Sequence, residues 1–189
     1  MAVTKSQEKW KAKRWFNVYT PKILGEEIIG EMPGDDELKV NGRLLKVSLS
    51  WVTKNPAHAF MGVGLRVTKA EGNSAHTSLK YIESNYSYVH SLIRRYSTAL
   101  YTVDKLKDKA GSPFVLKLIV VTRNRISTPQ KRGMRKLLSA FVKDYAASRS
   151  TEEILKSIMD GSMQADGIKS IKKIAHIGKF EVKKLELNA

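Results

Sequence analysis

The spacing of apolar residues changes along this chain from a two-residue repeat, typical of strands, to a repeat of three or four residues, typical of helices. Apolar and polar residues alternate over residues 45–51, just after an Asn41-Gly42 turn signal, and a second alternation covers residues 59–67. This period is typical of half-buried strands, and Gly62 and Gly64 within the second one indicate a bend or a close backbone approach. Further strands are predicted over residues 78–83, 98–105, 114–122 and 180–187.

The last third of the sequence has helical spacing. An apolar stripe from Met134 to Tyr145 repeats every three or four residues, and Ser150 to Glu153 form a capping box that begins a helix ended by Gly161. Two more helices are predicted, over residues 85–96 and 166–175. The combination indicates the α+β class. We expect a strongly curved antiparallel sheet or a small β-barrel flanked by helices, with a helical segment before a final strand.

Charge restricts the partners of the chain. It has 34 Lys and Arg against 18 Asp and Glu, a net charge of +16. Such a charge repels itself unless a polyanion neutralises it. No membrane partner is expected, because no apolar run approaches the ~18 residues of a spanning helix and residues 1–5 resemble neither a secretory nor a myristoylation signal. Nucleic acid is therefore the favoured partner, and the absence of cysteine favours a reducing cytoplasmic compartment.

The charges are unevenly distributed. Residues 5–22 are basic with interleaved aromatics, residues 26–37 hold six carboxylates and no base, and residues 109–143 hold nine bases and no acid. We expect the acidic stretch to face a basic protein or solvent, since it would repel phosphates. Residues 1–14 are predicted to be a basic aromatic arm, mobile in the free protein, and residues 15–189 a single α+β RNA-binding domain.

The strongest binding candidate is the segment 121–136, which runs from the end of a buried strand into the amphipathic helix. Helical geometry places Arg132, Lys136 and Lys143 opposite the apolar stripe. Arginine matches phosphate geometry, and a helix N-terminus adds uncharged donors. An ordinary solvated helix face is the alternative interpretation. The predicted RNA contacts of this region are Arg123, Arg125, Gln130, Lys131, Arg132, Arg135, Lys136 and Lys143.

The N-terminal arm is the second candidate. Lys11, Lys13 and Arg14 are predicted to contact phosphates. Trp15 and Phe16 either stack on unpaired bases or anchor the arm to the core. The sequence leaves both roles open.

Catalysis has little support in the sequence. Each of the four histidines stands alone, and Gly62-Val63-Gly64 lacks the rest of a nucleotide-binding fingerprint. We expect no enzyme, metal or cofactor, although a nuclease site assembled from distant acids stays an alternative. A free-standing nucleic-acid-binding module or translation regulator is a second alternative.

Three motifs resemble a known family. Residues 13–21, Lys-Arg-Trp-Phe-Asn-Val-Tyr-Thr-Pro, are similar to the Lys-Lys-Trp-Tyr-x-Val-x-Ala-Pro opening of the small-subunit ribosomal protein family called S-three-a, found in archaea and eukaryotes. Residues 42–49 resemble its Gly-Arg-Val-x-Glu-Val-Ser-Leu strand, with Lys46 in place of the acid, and residues 130–136 resemble its Gln-x-Arg-x-Ile-Arg-Lys helix start. The order of elements matches over about residues 10–187.

The resemblance implies a structural protein on the platform of the small subunit, near the messenger RNA exit path and the 3′ end of the subunit RNA. It implies ribosomal RNA and neighbouring ribosomal proteins as partners. The chain lacks the long terminal extensions of eukaryotic members, which favours an archaeal member. The RNA contacts carried over by analogy are Lys13, Arg14, Arg43, Gln130, Arg132, Arg135 and Lys136.

Overall fold

The computed structural model describes residues 13–187, in which the chain divides between Lys80 and Tyr81 into two compact units. Residues 1–12 of the predicted arm, including Lys11, lie outside the described residues. The boundary at residue 14 and the assignment of residues 15–189 to one domain stay predictions.

The first unit is built around a sheet with the strand order β2-β1-β5-β4-β3. Strand β1 pairs antiparallel with β2 and parallel with β5, and β3 pairs antiparallel with β4. The strands are β1 (Arg14–Tyr19), β2 (Ile28–Gly34), β3 (Leu44–Ser48), β4 (Met61–Glu71) and the first part of β5 (Ser74–Ser84). The unit also contains two short α-helices, α1 (Glu37–Val40) and α2 (Leu49–Thr53), and two 3-10 helices, Lys22–Leu24 and Pro56–His58. Among the described residues, strands β2 and β3 are its two edges, so the sheet is not closed and the expected small barrel is wrong.

The core of the first unit forms beneath strand β1. Phe16 and Val18, on one face of this strand, pack with Met32, Val40 and other buried apolar residues. Gly34 permits this packing, because a Cβ there would overlap the Val40 side chain and lie 3.0 Å from the Phe16 ring.

The second unit is an antiparallel sheet covered by helices on both faces. The strand order is β5-β8-β7-β6, with β6 at Ala99–Lys107, β7 at Pro113–Thr122 and β8 at Ile177–Leu187. Helix α3 (Tyr86–Ser91) packs through Val89 on Ile119 and Val121 of β7. Helices α4 (Thr128–Ser148), α5 (Thr151–Met159) and α6 (Ser162–Ile171) form a second layer, in which α4 packs on β6 and α6 on β8. The α+β class is therefore confirmed.

Most of the predicted elements are confirmed, but several of them differ in extent. The strand predicted over residues 45–51 ends at Ser48, because Leu49 and Val52 are both buried on one side of helix α2. The helix predicted over residues 85–96 is only the six residues of α3, since the chain turns at Arg94 to Ser97. The helix predicted over 166–175 runs instead from Ser162 to Ile171.

Strands β1 and β2 were not predicted. Only two positions of β1, Phe16 and Val18, are buried, and β2 contains two glycines and a proline. Neither segment therefore has a clear alternation of apolar and polar residues.

Candidate nucleic-acid interface

The loop between β7 and α4 is fixed by two threonines. The hydroxyl of Thr122, which is buried, donates to the carbonyl of Asn124 at 2.7 Å and accepts from the Thr98 backbone N–H at 3.2 Å. The Thr98 hydroxyl in turn accepts from the N–H of Ile126 at 3.3 Å. The exposed side chains of Arg123 and Arg125 are therefore presented from a constrained backbone.

Beside this loop lies a groove with a volume of about 500 Å³, which we call the cationic groove. Its charged lining residues are Arg94, Arg95, Arg123 and Lys179, and no carboxylate lines it. The three segments that supply them are the turn after α3, the loop after β7 and the start of β8. Cations from separate segments thus converge on one concave surface, an arrangement suited to phosphate.

The turn that carries two of these arginines is closed by a hydroxyl. Ser97 Oγ donates to the carbonyl of Arg94 at 2.5 Å and accepts from its N–H at 3.1 Å. Gly178 brings β8 close to β7, since a Cβ there would lie 3.2 Å from the carbonyl oxygen of Val121. The walls of the cationic groove are therefore backbone segments held by hydrogen bonds and sheet pairing.

Tyr96 adds an aromatic surface next to the cationic groove. Its side chain is 72% exposed, and the Arg125 guanidinium carbon lies 5.5 Å from its ring centroid. Its φ of 64° is in the left-handed region, which a non-glycine residue adopts only where the surrounding turn compensates the strain. An exposed ring flanked by arginine can stack on an unpaired base.

Helix α4 presents a cationic face to solvent, as predicted. Met134, Leu138 and Val142 are buried, whereas Arg132, Arg135, Lys136 and Lys143 are exposed and Lys131 is half-buried. Within residues 13–187 no ion pair neutralises any of these five cations or Arg123 and Arg125. Gln130 caps the helix: its Oε1 accepts from the N–H of Ser127 at 2.9 Å. Only the amide NH₂ of Gln130 is then left to donate to RNA.

The predicted residues of the first unit have different surroundings. Arg14 is exposed on β1. Arg43 is exposed, but it donates from Nη1 to the carbonyl of Pro33 at 2.8 Å and from Nε to that of Lys39 at 3.0 Å. Of the two aromatics, Phe16 is an anchor in the core, whereas Trp15 is 53% exposed and is free to stack.

Two carboxylates of the second unit's sheet form ion pairs or hydrogen bonds with neighbouring side chains. Glu186 lies 2.9 Å from Lys184 and 3.0 Å from Lys117, and the hydrogen bonds from these lysines lower its pKa. Burial raises the pKa of Glu181, which accepts from the Tyr88 hydroxyl at 3.0 Å. Burial and this neighbouring carboxylate raise the pKa of Tyr88 to about 12. Glu181 also attracts Lys179, one of the cations that line the groove.

Comparison with known proteins decides the family. The whole chain, residues 1–189, matches the family model described as Ribosomal S3Ae family. The chain belongs to this family. The resemblance found in its three motifs is thus confirmed.

Several archaeal proteins are similar to the chain over nearly its full length. It is 32% identical to small ribosomal subunit protein eS1 of Pyrobaculum aerophilum, over 99% of this chain and 84% of the relative. It is 32% identical to the protein of the same name from Staphylothermus marinus, over 96% and 85%. The corresponding values for Archaeoglobus fulgidus are 29% identity, 97% and 88%.

Membership of the S3Ae family makes the chain a structural protein and not an enzyme. Between residues 13 and 187, no three His, Asp or Glu side chains are grouped so as to hold a metal ion. No helix in that part of the chain is long and apolar enough to cross a membrane.

Sequence reasoning missed Arg94, Arg95 and Lys179 as members of the S3Ae chain's cationic surface. The first two were assigned to a helix that ends before them, and Lys179 was one of many dispersed C-terminal bases. The run Arg94-Arg95-Tyr96 was the available signal, because it interleaves bases and an aromatic as the N-terminal arm does.

Proposed function

We propose that this S3Ae protein is a constituent of the small ribosomal subunit that binds ribosomal RNA through the cationic groove and the outer face of helix α4. Its relatives are named small ribosomal subunit proteins. The observation that carries the RNA-binding surface is a set of cations without ion-pair partners in the described chain, held on constrained backbone. The ribosome also accounts for a cytoplasmic location.

Binding is expected to depend first on phosphates. The cationic groove has the charge and concavity for the sugar–phosphate backbone. Among the described residues, its lining contains no aromatic ring on which a base could stack. Tyr96 and Trp15 can add stacking with unpaired bases, which tolerates any sequence. Lys11, Lys13, Arg14 and Arg43 stay proposed contacts of the N-terminal part.

The proposed position is the platform, near the messenger RNA exit path and beside other ribosomal proteins. This placement is supported by the resemblance of residues 13–21, 42–49 and 130–136 to the family's motifs. The archaeal origin of the relatives supports the proposal that this chain is an archaeal member.

The experiment that tests the RNA surface compares two triple variants of equal charge. One replaces Arg94, Arg95 and Arg123 of the cationic groove by Ala, and the control replaces the exposed lysines 169, 172 and 173 by Ala. Each phosphate contact contributes roughly 0.7–0.9 to the slope of log affinity against log salt. With small-subunit RNA, the slope for the groove variant should therefore be smaller than that of the unmodified protein by about 2–3, and the slope for the control should change much less.

Co-sedimentation with small subunits at moderate salt tests the ribosomal assignment separately. The unmodified chain should remain with the subunit and the groove variant should be released at lower salt than the control. Equal losses in both variants would show that total charge and not the groove binds RNA. Absence of the unmodified chain from the subunit fraction would favour a free-standing RNA-binding module.

A further inference from the structure

The segment of residues 84–103 is rich in tyrosine and contains no acid. It holds four of the seven tyrosines of the chain, together with His90, Arg94 and Arg95. It forms α3, the turn after α3 and the first part of β6. Aromatic rings interleaved with bases and without carboxylates are typical of surfaces that bind unpaired nucleic acid.

Three of these four tyrosines expose their rings, and we call them the tyrosine surface. The exposed fraction is 73% for Tyr86 on α3, 72% for Tyr96 in the turn and 42% for Tyr101 on β6. The fourth, Tyr88, donates its hydroxyl to Glu181. Among the described residues, the hydroxyls of the other three form no such bond, so their rings are accessible to a partner.

A basic side chain lies at each ring of the tyrosine surface. The ring centroid of His90 is 4.0 Å from that of Tyr86. The Lys183 ammonium nitrogen is 5.2 Å from the ring centroid of Tyr101. At the third ring, the Arg125 guanidinium carbon is 5.5 Å from the centroid. Rings accompanied by bases supply both stacking with a nucleobase and attraction for the phosphate beside it.

The tyrosine surface lies on the same side of the second unit's sheet as the cationic groove. Val121, which lines the groove, packs against α3, the helix that carries Tyr86. Tyr96 lies in sequence between two residues of the groove lining. Tyr101 is on the same side of β6 as Ala99, which packs in the same cluster as Val121. A sugar–phosphate backbone held in the groove therefore has exposed rings beside it.

The carboxylates nearest to the tyrosine surface in sequence or on the sheet have partners. Glu83, just before the segment, lies 3.6 Å from Lys184, and Glu181 accepts from a tyrosine hydroxyl. Asp104, just after the segment, accepts from Ser139 of helix α4, on the other face of the sheet. The Arg and Lys at the rings, by contrast, have no ion pair in the described chain. The charge at this surface therefore selects an anionic partner.

We propose that the tyrosine surface binds an unpaired stretch of RNA, whose bases stack on Tyr86, Tyr96 and Tyr101 while its phosphates lie in the cationic groove. In a duplex the bases stack on one another, so only a single strand or a loop offers its base faces to the rings. The left-handed φ of 64° at Tyr96 fits this role, because such strain in a non-glycine residue is typical of binding sites. The inference deepens the proposed function: it rests on RNA as the ligand of the groove and names the form of that RNA.

The test compares two fluorescent probes of one sequence, a single-stranded RNA of about 12 nucleotides and the corresponding duplex, by anisotropy with the full chain. Tyr86→Leu and Tyr96→Leu each remove one ring, and Tyr86→Phe and Tyr96→Phe keep it. Trp51→Leu is the matched control, because Trp51 is 73% exposed, as is Tyr86, but belongs to the first unit. Thermal unfolding by circular dichroism checks the fold of each variant.

Each Leu variant should lose at least about fivefold in affinity for the single strand and less than about twofold for the duplex, since one stacked base is lost. The Phe variants should bind as the unmodified chain does, and the salt slope should stay the same in all of them, because no charge is removed. Equal losses for both probes, an equal loss in Trp51→Leu, a loss that the Phe variants share, or an unchanged affinity for the single strand would each overturn the proposal.

A measurement on the unmodified chain needs no variant to fold. Raising the salt concentration weakens phosphate contacts and leaves stacking, so the preference for the single strand over the duplex should grow. A preference for the duplex at high salt would overturn the proposal.

The outcomes of the two proposals can be told apart. If the groove variant loses salt slope but the Leu variants bind both probes normally, the tyrosine surface alone fails. If the Leu variants lose affinity for the single strand but the chain does not travel with small subunits, the ribosomal assignment fails and the tyrosine surface stands. Leu variants that keep RNA affinity but no longer join the subunit would assign the rings to a protein neighbour and overturn the proposal.

Discussion

Substitutions on the two faces of helix α4 should change different properties: those on its buried face should change stability, and those on its exposed face should change RNA binding. Leu138 is fully buried on its inner face, while Arg132 and Lys136 are exposed on its outer face and have no ion pair in the described chain. Replacing Leu138 by Ala removes buried methyl groups and leaves a cavity, which costs about 2–5 kcal/mol of the free energy of unfolding. For a protein of this size, that lowers Tm by about 4–20 °C.

The double variant Arg132→Ala, Lys136→Ala should behave in the opposite way. Exposed substitutions usually change the free energy of unfolding by less than about 0.5 kcal/mol, so Tm should stay within about 2 °C. Loss of two phosphate contacts should lower the slope of log affinity against log salt by about 1.4–1.8.

Two measurements on both variants check this reasoning: thermal unfolding by circular dichroism and RNA affinity at several salt concentrations. Leu138→Ala, measured well below its Tm, should keep the salt slope of the unmodified protein. Unfolding of the Arg132, Lys136 variant would refute the orientation of α4. An unchanged salt slope in that variant would refute its outer face as an RNA surface.

Three further outcomes are expected. Gly167→Ala should lower the free energy of unfolding by about 1–3 kcal/mol in urea titrations, because its Cβ would lie 2.6 Å from the Phe180 ring; no loss would mean that α6 can move away from β8. The hydrogen bond from the Thr151 hydroxyl lowers the pKa of Asp108 below its ordinary 3.8. The ionised carboxylate therefore stabilises the fold fully above pH 3.8, and this contribution is lost as the pH falls through the lower pKa of Asp108 in the folded protein. The stability difference between the unmodified protein and Asp108→Asn, from urea titrations over a pH series, should accordingly be full at pH 7 and shrink below 3.8; a difference that is the same at all pH values would contradict it. Arg43→Lys should be less stable by about 1 kcal/mol in the same titrations, since a lysine cannot reproduce both carbonyl contacts of the guanidinium, and equal stability would show that these contacts are dispensable.

The local pattern of the sequence determined much of the second unit. Helix α4 has strong helical periodicity and β7 is a nearly continuous apolar run, so the positions of both and the exposure of Arg132 and Lys136 were predictable from the sequence. The capping box at Ser150 fixed the start of α5 in the same way, since its Oγ accepts from the Glu153 N–H at 3.4 Å. The excess of bases likewise indicated a polyanionic partner without any knowledge of the fold.

Elements with weak local signals depended on tertiary structure. β1 and β2 exist because each pairs with a neighbour, and Gly34 is required by the side chains of Phe16 and Val40 that pack over it. An alternating apolar pattern continued through Trp51, but burial of Leu49 and Val52 together ended the strand at Ser48.

Only the tertiary structure brought together Arg94, Arg123 and Lys179, which come from three segments far apart in sequence. Sheet pairing between β7 and β8 and the packing of α3 on β7 place those segments side by side. Periodicity reports which face of an element is buried, but which elements become neighbours depends on long-range pairing, and local sequence does not encode this.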